Sequence, residues 1–238
     1  DYMYWNKKFN EGFKKLTFQK NNSIMLMCGK GERVKNLKEK KPFLKVEKKE
    51  FYKLIFEKFN TKSNKIITTK KYYSQLDKKN YEVLKISQTD SMLDTISSSK
   101  KLLLDNPNFF LLSCDCFGSI NERVFNKLSK LKNLDLIIFS FKKTYLNSSL
   151  KNSHTSIKIK KNKINEIFVK KNVPNSYGHA GFFWINSSKV FRYLDLFYLS
   201  KNFKKISYNR EVIIDDYFKF LLKKNLIYVK HILLNDYL

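Results

Sequence analysis

Apolar residues in this chain fall in short blocks, and the spacing inside each block predicts an element. Ser23–Cys28 is a continuous apolar run that stops at glycines, the pattern of a buried strand feeding a turn. Phe51, Leu54, Ile55 and Phe59 recur at helical spacing and predict a helix packed on a sheet. Strands are expected at Lys65–Thr69 and Glu82–Ile86. Ser91–Leu104 follows as a helix, with Asp90 or Ser91 able to cap it and Met92, Leu93, Ile96 and Leu103 as its apolar positions. Asn108–Asp115 then reads as a strand with an acidic last residue, Glu122–Leu131 as a helix and Leu134–Phe141 as a strand.

That order favours a mostly parallel, mixed sheet with helices on both faces, an α/β fold of Rossmann-like type. Ligands of such sheets gather at the carboxyl ends of the strands, where the glycines after Cys28 and Asp115 both fall. The second half contains a hairpin: two alternating runs from Thr155 to Val169 turn around Lys161-Asn162. Gly181–Trp184 and Ile227–Leu234 are further strands, and Val190–Leu199 and Glu211–Leu222 are helices. With no internal repeat and no Pro/Gly/Ser linker, the second half reads as an elaboration of one domain. Residues 1–22 are expected to be an N-terminal extension or linker, and 23–238 the domain.

Composition narrows the partners. The 238 residues suffice to bury a core, and 42% of them are hydrophobic. A formal net charge of +27 would attract phosphate backbones. The charge is nearly all lysine, however, spread evenly and accompanied by abundant Asn, Ile, Phe and Tyr, as a coding sequence rich in A and T would produce. Interfaces that read nucleic acid favour arginine forks and charge gathered on one face, so no specific nucleic-acid partner is expected. Against this background the few arginines and the 6 glycines are informative, because each marks a place where lysine or a bulkier residue does not serve. Cys28, Cys114 and Cys116 form no even disulfide framework, and Cys-x-Cys without a second pair is a poor zinc site, so they read as small buried residues at strand ends. His154, His179 and His231 are scattered. No apolar run approaches a membrane span and no signal peptide is visible, which predicts a cytoplasmic protein with no membrane partner.

The stretch Cys28-Gly29-Lys30-Gly31-Glu32-Arg33 concentrates two glycines and an arginine behind a buried strand. Backbone N–H groups with no Cβ in the way form an anion-binding nest, although Gly-x-Gly alone is equally the mark of a tight turn. It is neither a Walker A loop nor a Rossmann fingerprint. Arg33 beside the nest can meet charge developing on a phosphorus, and Lys41, followed by Pro42, can supply a point charge to phosphates.

Ile24 to Arg33 with Lys41-Pro42-Phe43-Leu44-Lys45-Val46 resembles the signature of the sugar-phosphate nucleotidyltransferases, whose fold is the nucleotide-diphospho-sugar transferase type. The resemblance covers about residues 23 to 238, and it implies that the chain is truncated at the C-terminus of the family's domain. It implies nucleotide binding by Cys28, Gly29, Lys30, Gly31, Gln88 and Ser91, and catalytic roles for Arg33, Lys41 and Asp115. Asp115 and Asp236 become metal ligands for magnesium (Mg2+), and Lys170, Lys171 and Gly181 face the acceptor, either lysine matching the family's phosphate-binding one. Where the family carries Glu before that lysine, this chain has Val169 or Lys170, and Ser91 stands where a glycine is usual.

The implied reaction transfers a nucleoside monophosphate from a triphosphate to a sugar 1-phosphate, or another small phosphate acceptor, and releases pyrophosphate. Its product is an activated nucleotide sugar for surface polysaccharide synthesis. No general base is needed, since the attacking phosphate is already ionised. A homo-oligomer is compatible with the family. The alternatives are a glycosyltransferase, which usually carries Asp-x-Asp where this chain has Asp115-Cys116-Phe117, and a catalytically inactive nucleotide-sugar-binding homologue.

Overall fold

Strand β1 (Phe18–Met27) lies inside a sheet, hydrogen-bonded on both sides to parallel neighbours. The computed structural model describes residues 16–28, 41–46, 48–106, 108–114, 116–145, 154–160 and 163–235, with Lys41 and Tyr145 through their main chain only. After β1 the described chain resumes in a 3-10 turn, Lys41–Phe43, and a small antiparallel pair, β2 (Lys45–Val46) and β3 (Lys49–Glu50). Helix α1 (Phe51–Phe59), strand β4 (Thr61–Thr69), helix α2 (Lys70–Tyr73) and strand β5 (Glu82–Ile86) follow. Next come helices α3 (Met92–Ser98) and α4 (Lys100–Leu104), strand β6 (Phe109–Ser113), helix α5 (Glu122–Leu128) and strand β7 (Leu136–Lys142). The hairpin β8 (Ser156–Lys160) and β9 (Lys163–Phe168) leads to β10 (Tyr177–Ile185), the short helices α6 (Lys189–Arg192) and α7 (Leu194–Tyr198), then α8 (Lys201–Asn209), α9 (Ile214–Lys223) and β11 (Val229–Leu233).

Among the described residues the main sheet runs β11-β7-β10-β6-β1-β4-β5, with the β8/β9 hairpin attached to the start of β10. Pairs β1–β4, β1–β6, β4–β5 and β7–β11 are parallel, while β10 is antiparallel to β6, β7 and β8. The expected mostly parallel mixed sheet is therefore present, and both halves of the chain contribute to it. Alternation along the strands sends Met25, Ile66, Phe110, Phe139 and Phe182 to one face and Ile24, Ile67, Leu111, Ile138 and Phe183 to the other. Helices α1 and α5 cover the first face with Tyr52, Ile55, Phe56, Phe59 and Phe125. Helices α3, α4, α6, α7 and α9 cover the second with Leu93, Ile96, Leu103, Phe191, Phe197 and Phe218.

The differences from the sequence-based expectation have local causes. Strand β1 starts at Phe18, five residues before Ser23, and Leu16 and Phe18 are buried, so at least residues 16–22 of the expected extension belong to the fold. Its polar first half is held by side chains: Asn21 Oδ1 accepts from Trp184 Nε1 at 2.8 Å, Asn22 Oδ1 from Ser63 Oγ at 2.8 Å, and Ser23 Oγ donates to Asn64 Oδ1 at 2.6 Å. The helix expected over 91–104 is broken at Ser99, whose hydroxyl donates to the Thr95 carbonyl at 2.6 Å. The expected Val190–Leu199 helix is likewise two short pieces. Strand β10 begins four residues ahead of Gly181, and α8, which buries no residue, gave too faint a pattern to be expected at all.

Candidate active site

The parallel strands end along one rim of the sheet, where Cys28 follows β1 and Gln88 follows β5. Leu26 pairs with Ser113, so the chain leaves β1 and β6 from the same rung, two residues before Cys28 and Asp115 respectively. Gly29, Lys30, Gly31, Arg33, Asp115 and Asp236, and the side chain of Lys41, lie outside the described residues. Their described flanks converge. The Asn235 N–H, next to Asp236, donates to the Ser119 carbonyl at 3.1 Å, tying the segment after β11 to the one after β6. Gly181 backs onto the same segment: a Cβ there would lie 3.2 Å from Cys116 Sγ and 4.0 Å from Ser113 Cβ. Its φ of +78° is one that L-residues rarely adopt, which is why glycine is retained.

Lys41 opens its 3-10 turn ahead of Pro42 and Phe43, both buried, with the Phe43 ring 5.9 Å from those of Tyr52 and Tyr72. Cys28 turns its side chain into the second face, where Sγ–H donates to the Ile67 carbonyl at 3.5 Å. Burial pushes this thiol up to about 11, so it is a neutral packing group at physiological pH and its main chain is what it can offer a nucleotide. Gln88 is exposed beyond edge strand β5, its Nε2 donating to the Thr89 carbonyl at 3.0 Å. Ser91 is the N-cap of α3: its Oγ accepts from Asp94 N at 3.1 Å and donates to Asp94 Oδ2 at 2.8 Å, while Asp94 Oδ1 accepts from the Tyr198 hydroxyl at 3.0 Å.

Lys170 and Lys171 follow β9 and are both exposed, Lys170 at a left-handed φ of 48°. They differ in what lies beneath them. The Lys170 charge acts on buried Asp215, at the start of α9, whereas the Lys171 carbonyl accepts the Ser156 hydroxyl. Asp215 belongs to a constellation that the sequence reading missed. Its Oδ1 lies 2.9 Å from His179 Nδ1, its Oδ2 accepts from Thr155 Oγ1 at 2.6 Å, and the His179 N–H donates to the Thr155 carbonyl at 2.9 Å. Burial alone would raise the Asp215 carboxyl; the His179 imidazole, the hydrogen bonds from His179 and Thr155, and Lys170 outweigh it and hold the group below the ordinary carboxylate range. Beside it Asp216 takes both nitrogens of the Arg210 fork, at 2.6 and 2.8 Å, and accepts the Ile213 N–H at 3.1 Å, capping α9. Thr155, His179 and Asp215 are spread over 60 residues of chain, so no local spacing announces them.

A Mg2+ ion prefers oxygen donors and needs one or two carboxylates beside phosphate oxygens. No group of three or more His, Cys, Asp or Glu among the described residues could hold a metal. Asp115 and Asp236, the ligands the resemblance implies, lie outside the described residues.

No protein-family model matches the sequence, and no curated protein does. Solved structures do match. The inositol-1-phosphate CTP transferase from T. maritima aligns over 93% of this chain and 87% of its own, with a TM-score of 0.67 at 16% identity. A Bacillus anthracis protein assigned as a glucose-1-phosphate thymidylyltransferase, solved with sucrose, aligns over 91% and 88% with a TM-score of 0.67 at 17% identity. The chain shares their fold. No helix among the described residues is long and apolar enough to cross a membrane.

Proposed function

We propose that this protein is a nucleotidyltransferase that moves a nucleoside monophosphate from a triphosphate to a sugar 1-phosphate or a similar phosphorylated small molecule. The observation that carries the reading is the shared rung of β1 and β6: the signature loop after Cys28 and the acidic position 115 leave adjacent strands side by side. The backing of Gly181 onto residues 113 and 116, and a fold shared with two proteins named for this class of transfer, support it.

In this reading the Gly29–Gly31 amides and Lys41 hold the triphosphate, and Arg33 stabilises charge building around the α-phosphorus. Asp115 and Asp236 would hold Mg2+, which when bound neutralises phosphate oxygens. Lys170 or Lys171 receives the acceptor's phosphate. An acceptor phosphate oxygen attacks the α-phosphorus in line, the new P–O bond forms as the bond to pyrophosphate breaks, and no proton needs to be removed. Catalysis is then positioning and electrostatics.

Pyrophosphate release, screened over the common nucleoside triphosphates against a panel of phosphorylated acceptors, tests this. Magnesium-dependent, saturable release is expected, with Arg33→Ala lowering turnover by about 100-fold, as loss of a transition-state donor does. Unchanged turnover in a folded Arg33→Ala variant would remove Arg33 from the mechanism.

A further inference from the structure

Strand β7 ends at Lys142 on the same rim as β6, since β10 runs antiparallel to both. The next residue, Lys143, reaches the segment that carries Lys170 and Lys171. Its Nζ donates to Ser156 Oγ at the start of β8, to Asn172 Oδ1 at 3.0 Å and to the Val173 carbonyl at 3.4 Å. A lysine ammonium has three N–H donors, and these oxygens, drawn from two separate segments, match them. Ser156 completes the tie, its hydroxyl donating to the Lys171 carbonyl. At the far end of the segment the Ser176 hydroxyl donates to the same Val173 carbonyl at 2.5 Å. Lys170 holds a left-handed φ of 48°, uncommon for lysine and kept where neighbouring contacts fix the chain. Lys170 and Lys171 are exposed, whereas Lys143 is half-buried and bonded to main chain and side chains of the protein itself.

We propose that Lys143 is a positioning residue: it ties the Lys170–Val173 segment to the end of β7, so that the two loop lysines stand preformed at the rim for the acceptor's phosphate. This rests on the nucleotidyltransfer reading above and adds to it a residue that acts through the loop. The physical reason is entropy. A loop that must become ordered when its lysines take hold of a phosphate gives up main-chain freedom at that moment, and a loop already fixed gives up less. The rival account is that Lys143 acts by its charge alone, adding to the field that attracts the phosphate. Asn172 separates the two. Removing its side-chain amide loosens the tie and leaves the Lys143 ammonium in place.

The test compares the wild type, Lys143→Met, Asn172→Ala and the double variant, with folding checked by thermal melting. Amide hydrogen exchange is followed over residues 170–176. Pyrophosphate release is measured with whichever of glucose 1-phosphate, inositol 1-phosphate and choline phosphate the wild type uses best. Lys143→Met is expected to speed exchange in the loop by about 10-fold or more, and to raise the acceptor KM by about 10-fold while leaving the triphosphate KM nearly unchanged. Asn172→Ala should act in the same direction by about 3-fold, and the double variant should be no worse than Lys143→Met, since both substitutions cut one tie. Asn172→Ala carries the test alone if the lysine variant does not fold. Exchange unchanged in both single variants overturns the tie. A raised acceptor KM in Lys143→Met, with exchange and KM unchanged in Asn172→Ala, assigns Lys143 to charge alone and overturns positioning, while nucleotidyltransfer stands. Both KM values rising together overturns it as well, because the effect is then not confined to the acceptor. Absence of pyrophosphate release from the wild type with every acceptor fails the reaction itself and the loop's role with it, even where exchange shows the tie.

Discussion

The two faces of the sheet bury similar apolar surfaces but treat polar atoms differently. On the first face, aromatic rings from four strands and two helices interlock: Phe18 lies 4.7 Å from Phe110, Phe59 5.1 Å from Phe110, Phe139 4.9 Å from Phe182 and Phe125 5.4 Å from Trp184, centre to centre. Trp184 even finds a partner for its N–H in Asn21. The second face has an aliphatic floor, but toward the carboxyl rim it changes to small or polar residues: Thr69, Cys28, Ser113, Gly181, His179 and Ser140. Thr69 Oγ1, Ser140 Oγ, His179 Nε2 and His231 Nε2 are all buried there without a partner among the described residues; the first face contributes the Tyr52 hydroxyl. Ring packing closes the sheet side of the first face, whereas the second face leaves most of the unpaired buried polar atoms among the described residues.

Substitutions separate these roles. Phe110→Ala, at the centre of the aromatic face, is expected to cost about 3–5 kcal/mol in urea unfolding; a loss below ~1 kcal/mol would mean that this face does not carry the fold. His231 comes next. Burial pushes its imidazole down to about 4, below the ordinary 6.5, so between those values the unfolded chain binds the extra proton. Its contribution is whole above pH 6.5 and is lost as pH falls toward 4, by up to about 3 kcal/mol. His231→Leu should flatten stability across that window, leaving Asp215, whose depressed carboxyl protonates only at lower pH, to govern acid unfolding. Unfolding curves at pH 7 and pH 4.5 that shift equally in wild type and variant would contradict this. Ser140→Ala should have the smallest effect, between neutral and ~1 kcal/mol stabilising, because it removes an unpaired buried hydroxyl. A clear loss of stability would show that the hydroxyl has a partner and would weaken the contrast between the faces.

Strands were legible because their apolar runs are short and sharply bounded. Glu82–Ile86 was expected with the bounds observed, and the hairpin of β8 and β9 was readable from its alternation. The first half of β1 was not, since Gln19 to Asn22 look like a polar linker until the partners of their side chains, 41 to 163 residues away, are known. Of the site, the sequence pointed to the segments that follow strand ends. It also suggests that a retained arginine marks a place needing a planar fork, and Arg210 on Asp216 is such a place. In sequence His179 is one of three scattered histidines, because the Asp215 it meets is far along the chain.

The order of apolar blocks by itself determined an α/β sheet with parallel strands, since periodicity and block length are properties of consecutive residues. Tertiary structure decided which strand ends stand next to each other, which face is sealed by rings, and which buried imidazole and hydroxyl atoms lack a partner among the described residues. Burial and hydrogen-bond satisfaction are set by residues brought together from across the chain, and no window along it contains them.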